Sequence, residues 1–587
     1  MKMFMLMRRF LILGALGLFM FGGLPSLAAG RGMASADADS LDFLTLLMQK
    51  ELDKNFKRFA DSSQVPYYMS FRVNDVASLE LSANFGALSG VSHDRNIYFV
   101  PQIRIGDVDF DNFMELQNGA PSNMQNPPAA VLLPLNFEQV PEMVGDIVRK
   151  ELDSRYAFAR RALDAARAKV AAGNALRDTA GAFSAAPVAR YYEGVGGVGG
   201  VGDGCVGGVG GVGGVGDCVG DCDSEGDCED DCVGGFNGFD DEVVSVWSER
   251  VARLSRLFLN NKDVVNSSVS FKYEFRRVLF LSSEGSLVAE NRPYIMLSVS
   301  AYGIAEDGMS LPLHKNYFAF SLDELPDQEV LVADVERLSA KISELVLAPV
   351  VQAYSGPALL SGAAAGVFFH EIFGHRIEGQ RLKSDFDGQT FKHMTGQRVL
   401  PDLLSVVDDP SLRYFRGEPL YGHYKFDDQG VRGERTVVVE DGVLRNFLMT
   451  RTPINGHSRS NGHARADFVN DPTSRQSNLL ISSAEELGDG EMLDLLREQI
   501  VDEGKEFGFY FREVTGGLTQ ISSMAVNSFN VYPLEVYRVY ADGRDMELVR
   551  GVDLIGTPLS MFSNILRAGG TYEVFTGLCG ASSGGIP

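Results

Sequence analysis

The residues best suited to chemistry are His370-Glu371-Ile372-Phe373-Gly374-His375, two imidazoles flanking a carboxylate. In the H-E-x-x-H form of a hydrolytic zinc site, the histidines share one face of a helix and the Glu acts as general base on a water held by the metal. Here the spacing is one residue longer. At about 100° per residue, five steps carry the second ring about 140° around an ideal helix, too far for both rings to reach one ion. The spacing therefore predicts a deformed helix. A single-turn π-bulge absorbs one extra residue, and Gly374 is where the backbone yields most easily, so a bulge or kink is expected at Phe373-Gly374. The preceding run from Ser361 to Phe369 offers an N-cap, small residues and then apolar bulk, which predicts a buried helix.

Two histidines alone hold zinc weakly, whereas three protein ligands and one open position make a catalytic site. The chain has six cysteines. Five of them crowd into one biased segment, and Cys579 stands apart among glycines. His393, His423 and His463 are the other candidates for a third ligand. His457 and His463 lie in a loop rich in Ser, Asn, Gly and Arg, where they could bind substrate or assist an oxyanion but read first as surface polar residues. Gly580-Ala-Ser-Ser-Gly584 fits G-x-S-x-G, yet a nucleophile elbow needs acid and His partners after it, and only three residues follow. Ser582 is therefore read as part of a Gly/Ser loop.

The stretch Phe369 to Gly379 resembles the motif helix of the TldD/PmbA family of metallopeptidases, and further matches follow in order. They are Val406-Val-Asp-Asp409, Gly462-His-Ala-Arg465, Glu513-Val-Thr-Gly-Gly517, Leu534 to Tyr540, Gly551 to Pro558 and Gly577-Leu-Cys-Gly580. The resemblance covers residues 270 to 587. It implies a zinc peptidase, with one Zn2+ per chain held by His370, His375 and Cys579, and with Glu371 activating the water. It also implies pairing with a homologous subunit or with a second copy. One departure is that the family runs on past the cysteine loop into another strand, while this sequence stops at Pro587.

At 587 residues and 45% hydrophobic content the chain is long enough for two or more domains with ample core. A net charge of −25 with no basic patch excludes nucleic acid and anionic membranes as partners. About half of that excess sits between Glu193 and Glu242, where there are thirteen acidic residues and no Lys or Arg.

Lys2, Arg8 and Arg9 precede an apolar run from Phe10 to Phe21, and Ser26 to Ala29 offers small residues for cleavage, so residues 1–29 read as a signal peptide. The mature protein is then exported, periplasmic or secreted. No second run of about 20 apolar residues follows, so no membrane span is expected in it.

Residues 40–347 are expected to form an N-terminal α+β domain. Ser40 is expected to start a helix with Leu44, Leu47, Met48, Leu52 and Phe56 on one stripe. Residues 67–108 read as a strand layer, notably 78–85 and 96–108, and residues 141–172 as helix with Val144, Ile147, Val148, Leu152 and Phe158 inward. Residues 192–240 are an insertion of Gly-Gly-Val-Gly repeats and an Asp/Cys tract whose composition cannot bury a core. Cys205, Cys218, Cys222, Cys228 and Cys232 miss the zinc-ribbon spacing, and in an exported protein disulfides are favoured over a metal or calcium site. Helix is expected again at 241–259 and 327–347, with strands between 267 and 305.

The C-terminal domain, 350–587, is expected to carry the metallopeptidase centre on a helix packed under antiparallel β-structure, so the fold class is α+β with two domains. The reading is a zinc peptidase acting on small or unfolded peptides. Its rival is a catalytically silent scaffold or partner subunit of the same fold, against which the intact Glu371 argues.

Overall fold

The computed structural model describes residues 3–5, 41–113, 130–173, 179–194, 239–383, 389–521, 527–581 and 583–587. The N-terminal domain is built on a seven-stranded sheet whose centre is four long strands, Ala87–Ile105, Pro66–Asn84, Asn266–Ser282 and Leu287–Ile304, antiparallel neighbours in that order. The first two join at Phe85-Gly86, both with positive φ (46° and 85°), the geometry of a tight hairpin turn that matches the strands' twist. Strand Ser310–Ala319 extends the sheet beside Leu287–Ile304.

Helices Phe43–Arg58, Pro141–Ala171, Asp241–Arg256 and Gln328–Leu347 cover this sheet with apolar stripes. Phe43–Arg58 buries Leu44, Leu47, Met48 and Leu52, as the stripe predicts, but Asp42 rather than Ser40 caps it, accepting Thr45 N–H at 2.9 Å. Pro141–Ala171 buries Val144, Val148 and Leu152. Its inward face then continues through Ala159 and Leu163, not Phe158. The strand layer expected over 67–108 is two long strands, Pro66–Asn84 and Ala87–Ile105, the first buried on both faces along much of its length.

The C-terminal domain centres on a five-stranded sheet in which Phe507–Gln520 pairs antiparallel with Ser528–Tyr540. On its other side Phe507–Gln520 takes Ala358–Leu360 as a parallel neighbour, so the sheet is largely but not wholly antiparallel. Ala358–Leu360 leads directly into the motif helix, Gly362–Ile372, which lies against Phe507–Gln520 with Val367, Phe368, Phe369 and Ile372 in the core. A second sheet contains Leu404–Asp408, Thr436–Glu440 and Leu479–Ser483. The fold is α+β.

Residues 195–238, with the five clustered cysteines, and residues 6–29 of the expected signal peptide lie outside the described residues, while Met3–Met5 pairs in parallel with Ile565–Gly569. Among the described residues no helix is long and apolar enough to cross a membrane.

Candidate metal centre

The motif helix starts where Ser361 Oγ accepts Ala364 N–H at 3.1 Å. It stops at Ile372. Phe373 has φ −117° and ψ −52°, well off helical values, and Gly374–Arg376 continue as a 3₁₀ turn. The irregularity falls at Phe373-Gly374, as the spacing requires, but it is a break followed by a 3₁₀ turn and not a π-bulge. Arg376 turns back to satisfy the helix end, with Nη1 donating to Glu371 O at 2.9 Å and Ile372 O at 2.8 Å.

Because the chain changes direction at Phe373, the straight-helix angle no longer separates the two histidines. Their ring centroids lie 4.8 Å apart with planes at 80°. Gly374 contributes through space rather than through an unusual φ: a Cβ there would meet Gln476 Oε1 at 1.8 Å.

The third group arrives on a hairpin, Cys579–Ala581 paired with Gly584–Ile586. Cys579 Sγ is 3.3 Å from His375 Nε2, and the ligand atoms of His370, His375 and Cys579 all lie within 4.8 Å of one another. Tetrahedral zinc with Zn–N of ~2.1 Å and Zn–S of ~2.3 Å spaces sulfur and nitrogen ~3.6 Å apart, so the donor set and its spread fit that ion. Among the described residues it is the one group of three or more His, Cys, Asp or Glu so disposed.

Electrostatics prepare these groups. Burial opposes the thiolate of Cys579, but hydrogen bonds and charge from His370 and His375 outweigh it and bring the thiol down to about 5. Burial would likewise depress His375, yet the Glu378 carboxylate and Cys579 raise it to about 9. Glu371, 4.0 Å from His375 Nε2 through Oε2, is held above the ordinary carboxylate range by burial, against the pull of His370 and His375.

Sequence reasoning missed the carboxylate behind the histidine. Glu378 is fully buried, and its Oε1 lies 3.0 Å from His375 Nδ1, which leaves Nε2 to face Cys579. Arg381 pairs with its other oxygen, and Arg475 Nε stands 3.4 Å from Oε1. Together the cations hold the carboxyl far below its usual range, burial notwithstanding. The available signal was a Glu three residues after His375 inside the motif stretch.

The alternative imidazoles are used elsewhere. His463 is not a surface group: it is fully buried, with Nε2 3.1 Å from Asp408 Oδ1. His423 Nδ1 lies 2.9 Å from Pro410 O, and its ring packs edge-on to Phe320. His457 rests against Phe447, and His393 is exposed. Ser582 lies outside the described residues.

His370, His375, Cys579 and Glu371 open on a cleft of about 1430 Å³, walled by the start of the motif helix, strand Leu479–Ser483, residues 515–519, residues 571–581, and His314 and Asn316 of the N-terminal domain.

The candidate centre lies on a helix under a largely antiparallel sheet in an α+β fold, and residues 353–586 match the PmbA/TldA metallopeptidase C-terminal domain. The chain belongs to the TldD/PmbA family. It is 31% identical over 347 residues to a protein of Archaeoglobus fulgidus named metalloprotease, covering 58% of this chain and 74% of that one. It is 24% identical over 230 residues to a zinc metalloprotease TldD homolog of Saccharolobus solfataricus, covering 38% of this chain and 46% of that one. Among solved structures, TldE from Thermococcus kodakarensis shares the fold with a TM-score of 0.53 and 14% identity over 92% of this chain and 98% of its own.

Proposed function

We propose that this protein is a zinc-dependent peptidase in which His370, His375 and Cys579 hold the ion and Glu371 is the general base. The observation that carries the reading is the convergence of one thiol and two imidazoles, from segments 204 residues apart, beside a carboxylate that is not itself placed as a ligand. A thiolate with two imidazoles favours zinc over hard cations, and a relative bears the name zinc metalloprotease.

When bound, zinc would polarise the scissile carbonyl and acidify a water. Glu371 would take the water's proton and pass it to the leaving amine, a task suited to a carboxyl whose proton affinity burial has raised. Glu378 holds His375 in one orientation and keeps Nε2 turned toward Cys579. Small or unfolded peptides are the substrates, since an extended chain can lie along a cleft bounded by strand Leu479–Ser483 and residues 515–519.

The basic and apolar N-terminal run supports export to the periplasm or outside the cell, and the family resemblance implies assembly as a homodimer or with a homologous subunit. A silent scaffold of the same fold is the second reading, disfavoured by the intact Glu371. The decisive test is Glu371→Ala in the purified protein: peptide hydrolysis should be lost while zinc stays near one per chain. Undiminished turnover in that variant would refute the mechanism, and a wild-type protein that binds zinc without cleaving peptides would favour the scaffold.

A further inference from the structure

Cys579 sits on a two-strand hairpin whose first strand is held by Arg475 Nη2, which donates to Cys579 O at 3.1 Å, and whose return strand is held by a turn gripped by the other domain. Its return strand begins at Ser583-Gly584. Asp467 N–H donates to Ser583 O at 2.9 Å, and Ser583 is fully buried. Gly584 has φ 91°, and a Cβ there would overlap the Asp467 carboxylate, so the turn favours glycine at this position both by conformation and by space. Arg465, just before the turn, donates to Pro587 O. The hairpin that delivers the thiol is thus seated on residues 465–467.

That turn is itself shaped by Asp467, whose Oδ1 accepts the N–H groups of Val469 and Asn470 at 2.9 and 2.8 Å. The N-terminal sheet then clamps it. Arg72, on strand Pro66–Asn84 and only 3% exposed, donates to Asp467 O at 2.6 Å and to Asn470 O. Beside it Asn74 Nδ2 reaches Phe468 O at 3.4 Å, and the Phe468 ring stacks on Tyr98 at 4.9 Å. Arg72 also stands 4.0 Å from Asp428 Oδ1 in a buried ion pair, while Nη1 and Nη2 both donate to main-chain carbonyls of this one turn.

We propose that Arg72 is a positioning residue for the metal centre: through the Asp467–Asn470 turn, the N-terminal domain fixes the hairpin that presents Cys579 to His370 and His375. The inference rests on the reading of Cys579 as a ligand. It makes the thiolate the one ligand whose placement depends on both domains, because both histidines stand on the motif helix and the 3₁₀ turn that follows it.

The test uses full-length protein and Co2+, which reports thiolate ligation through a sulfur-to-cobalt charge-transfer absorption and needs no turnover. Arg72→Met removes the donors at similar volume, and Gly584→Ala disturbs the same seat from the hairpin side without touching the domain interface. Wild type should show the band and Cys579→Ser should lack it. Both test variants should bind Co2+ about 10-fold to 100-fold more weakly, the range for residues that orient metal ligands, with a diminished band and unchanged far-UV dichroism. Folded variants with wild-type affinity and a full band would overturn the positioning role. A wild-type protein without the band would instead overturn the assignment of Cys579 as a ligand. If Arg72→Met does not fold, Gly584→Ala together with Asn74→Leu decides the matter on the same readout.

Discussion

A Cβ placed on Gly517 would lie 2.6 Å from Glu371 Cγ and 2.8 Å from Asn530 O. Gly517 belongs to strand Phe507–Gln520 and faces Val531 across the sheet, so the stem of Glu371 lies directly against main chain. No larger residue leaves room for it. Gly517→Ala should displace the carboxylate by about 1 Å, and misplacement on that scale costs up to about 100-fold in rate. The expected result is a kcat reduced 10-fold or more with zinc content unchanged. A kcat within twofold of wild type would show that Glu371 does not need the bare backbone beneath it.

Metal uptake should release a proton. His375 is raised to about 9 in the metal-free protein by Glu378 and Cys579 against its burial, so at neutral pH its ring is protonated, and zinc requires the bare nitrogen. Cys579, at about 5, is already a thiolate there. Affinity should therefore rise about tenfold per pH unit between pH 7 and about 9 and flatten above. Calorimetric titration in buffers of differing ionisation heat counts the protons, and a count of zero at pH 7 would contradict the charge state inferred for His375.

Glu378→Gln keeps shape but removes the negative charge behind His375. Zinc affinity should drop about 10-fold to 100-fold, measured by competition with a chelator, and the proton released on binding at pH 7 should diminish because His375 is no longer held protonated. Unchanged affinity would mean that Arg381 and Arg475 orient the site without the carboxylate.

His463 belongs to the frame rather than to the chemistry. His463→Ala leaves Asp408 short of a partner in a dry site and should cost about 1–3 kcal/mol of stability, seen as a lower melting temperature with zinc stoichiometry intact. A variant that melts like wild type but loses turnover would return His463 to the list of substrate-binding groups.

The insertion can be removed, within limits the structure sharpens. Replacing residues 195–238 with a short Gly/Ser linker should preserve hydrolysis and the melting temperature, since such a composition contributes little burial. Removing 192–240 should not. That wider cut takes Tyr192, whose hydroxyl accepts Asp42 N–H at 2.8 Å, the Glu193 contacts to Lys425 and Asn291, and the Asp240 cap on helix Asp241–Arg256. Equal melting temperatures for the two deletions would contradict the distinction.

How much the sequence disclosed varied with the range of the interaction. His370, Glu371 and His375 were legible because their types and spacing lie within six residues, and the extra residue even located the break at Phe373. Cys579 is 204 residues from His375, and no local pattern links them; only resemblance to a family did. Glu378 sat in plain view, but a single acidic residue after a motif carries no mark of burial until Arg381 and Arg475 are seen around it. His463 misled for the opposite reason: Ser, Asn, Gly and Arg neighbours suggested surface, while Asp408, a strand away in another sheet position, satisfies it inside. The strand layer over 67–108 was legible as a whole, but burial on both faces of Pro66–Asn84 erases the two-residue period along part of it, so only 78–85 stood out there.

The contact between Gly374 and Gln476 bears on how this site can change over evolutionary time. A Cβ at position 374 fits only if the Gln476 side chain moves away, and this contact lies between the two histidines in sequence. Point substitutions around the site can be absorbed one side chain at a time. A codon gained between His370 and His375 is harder to absorb, because it would alter the break at Phe373 that brings the two rings together and place a different residue against Gln476. The motif should therefore resist insertion more than it resists substitution of its intervening residues.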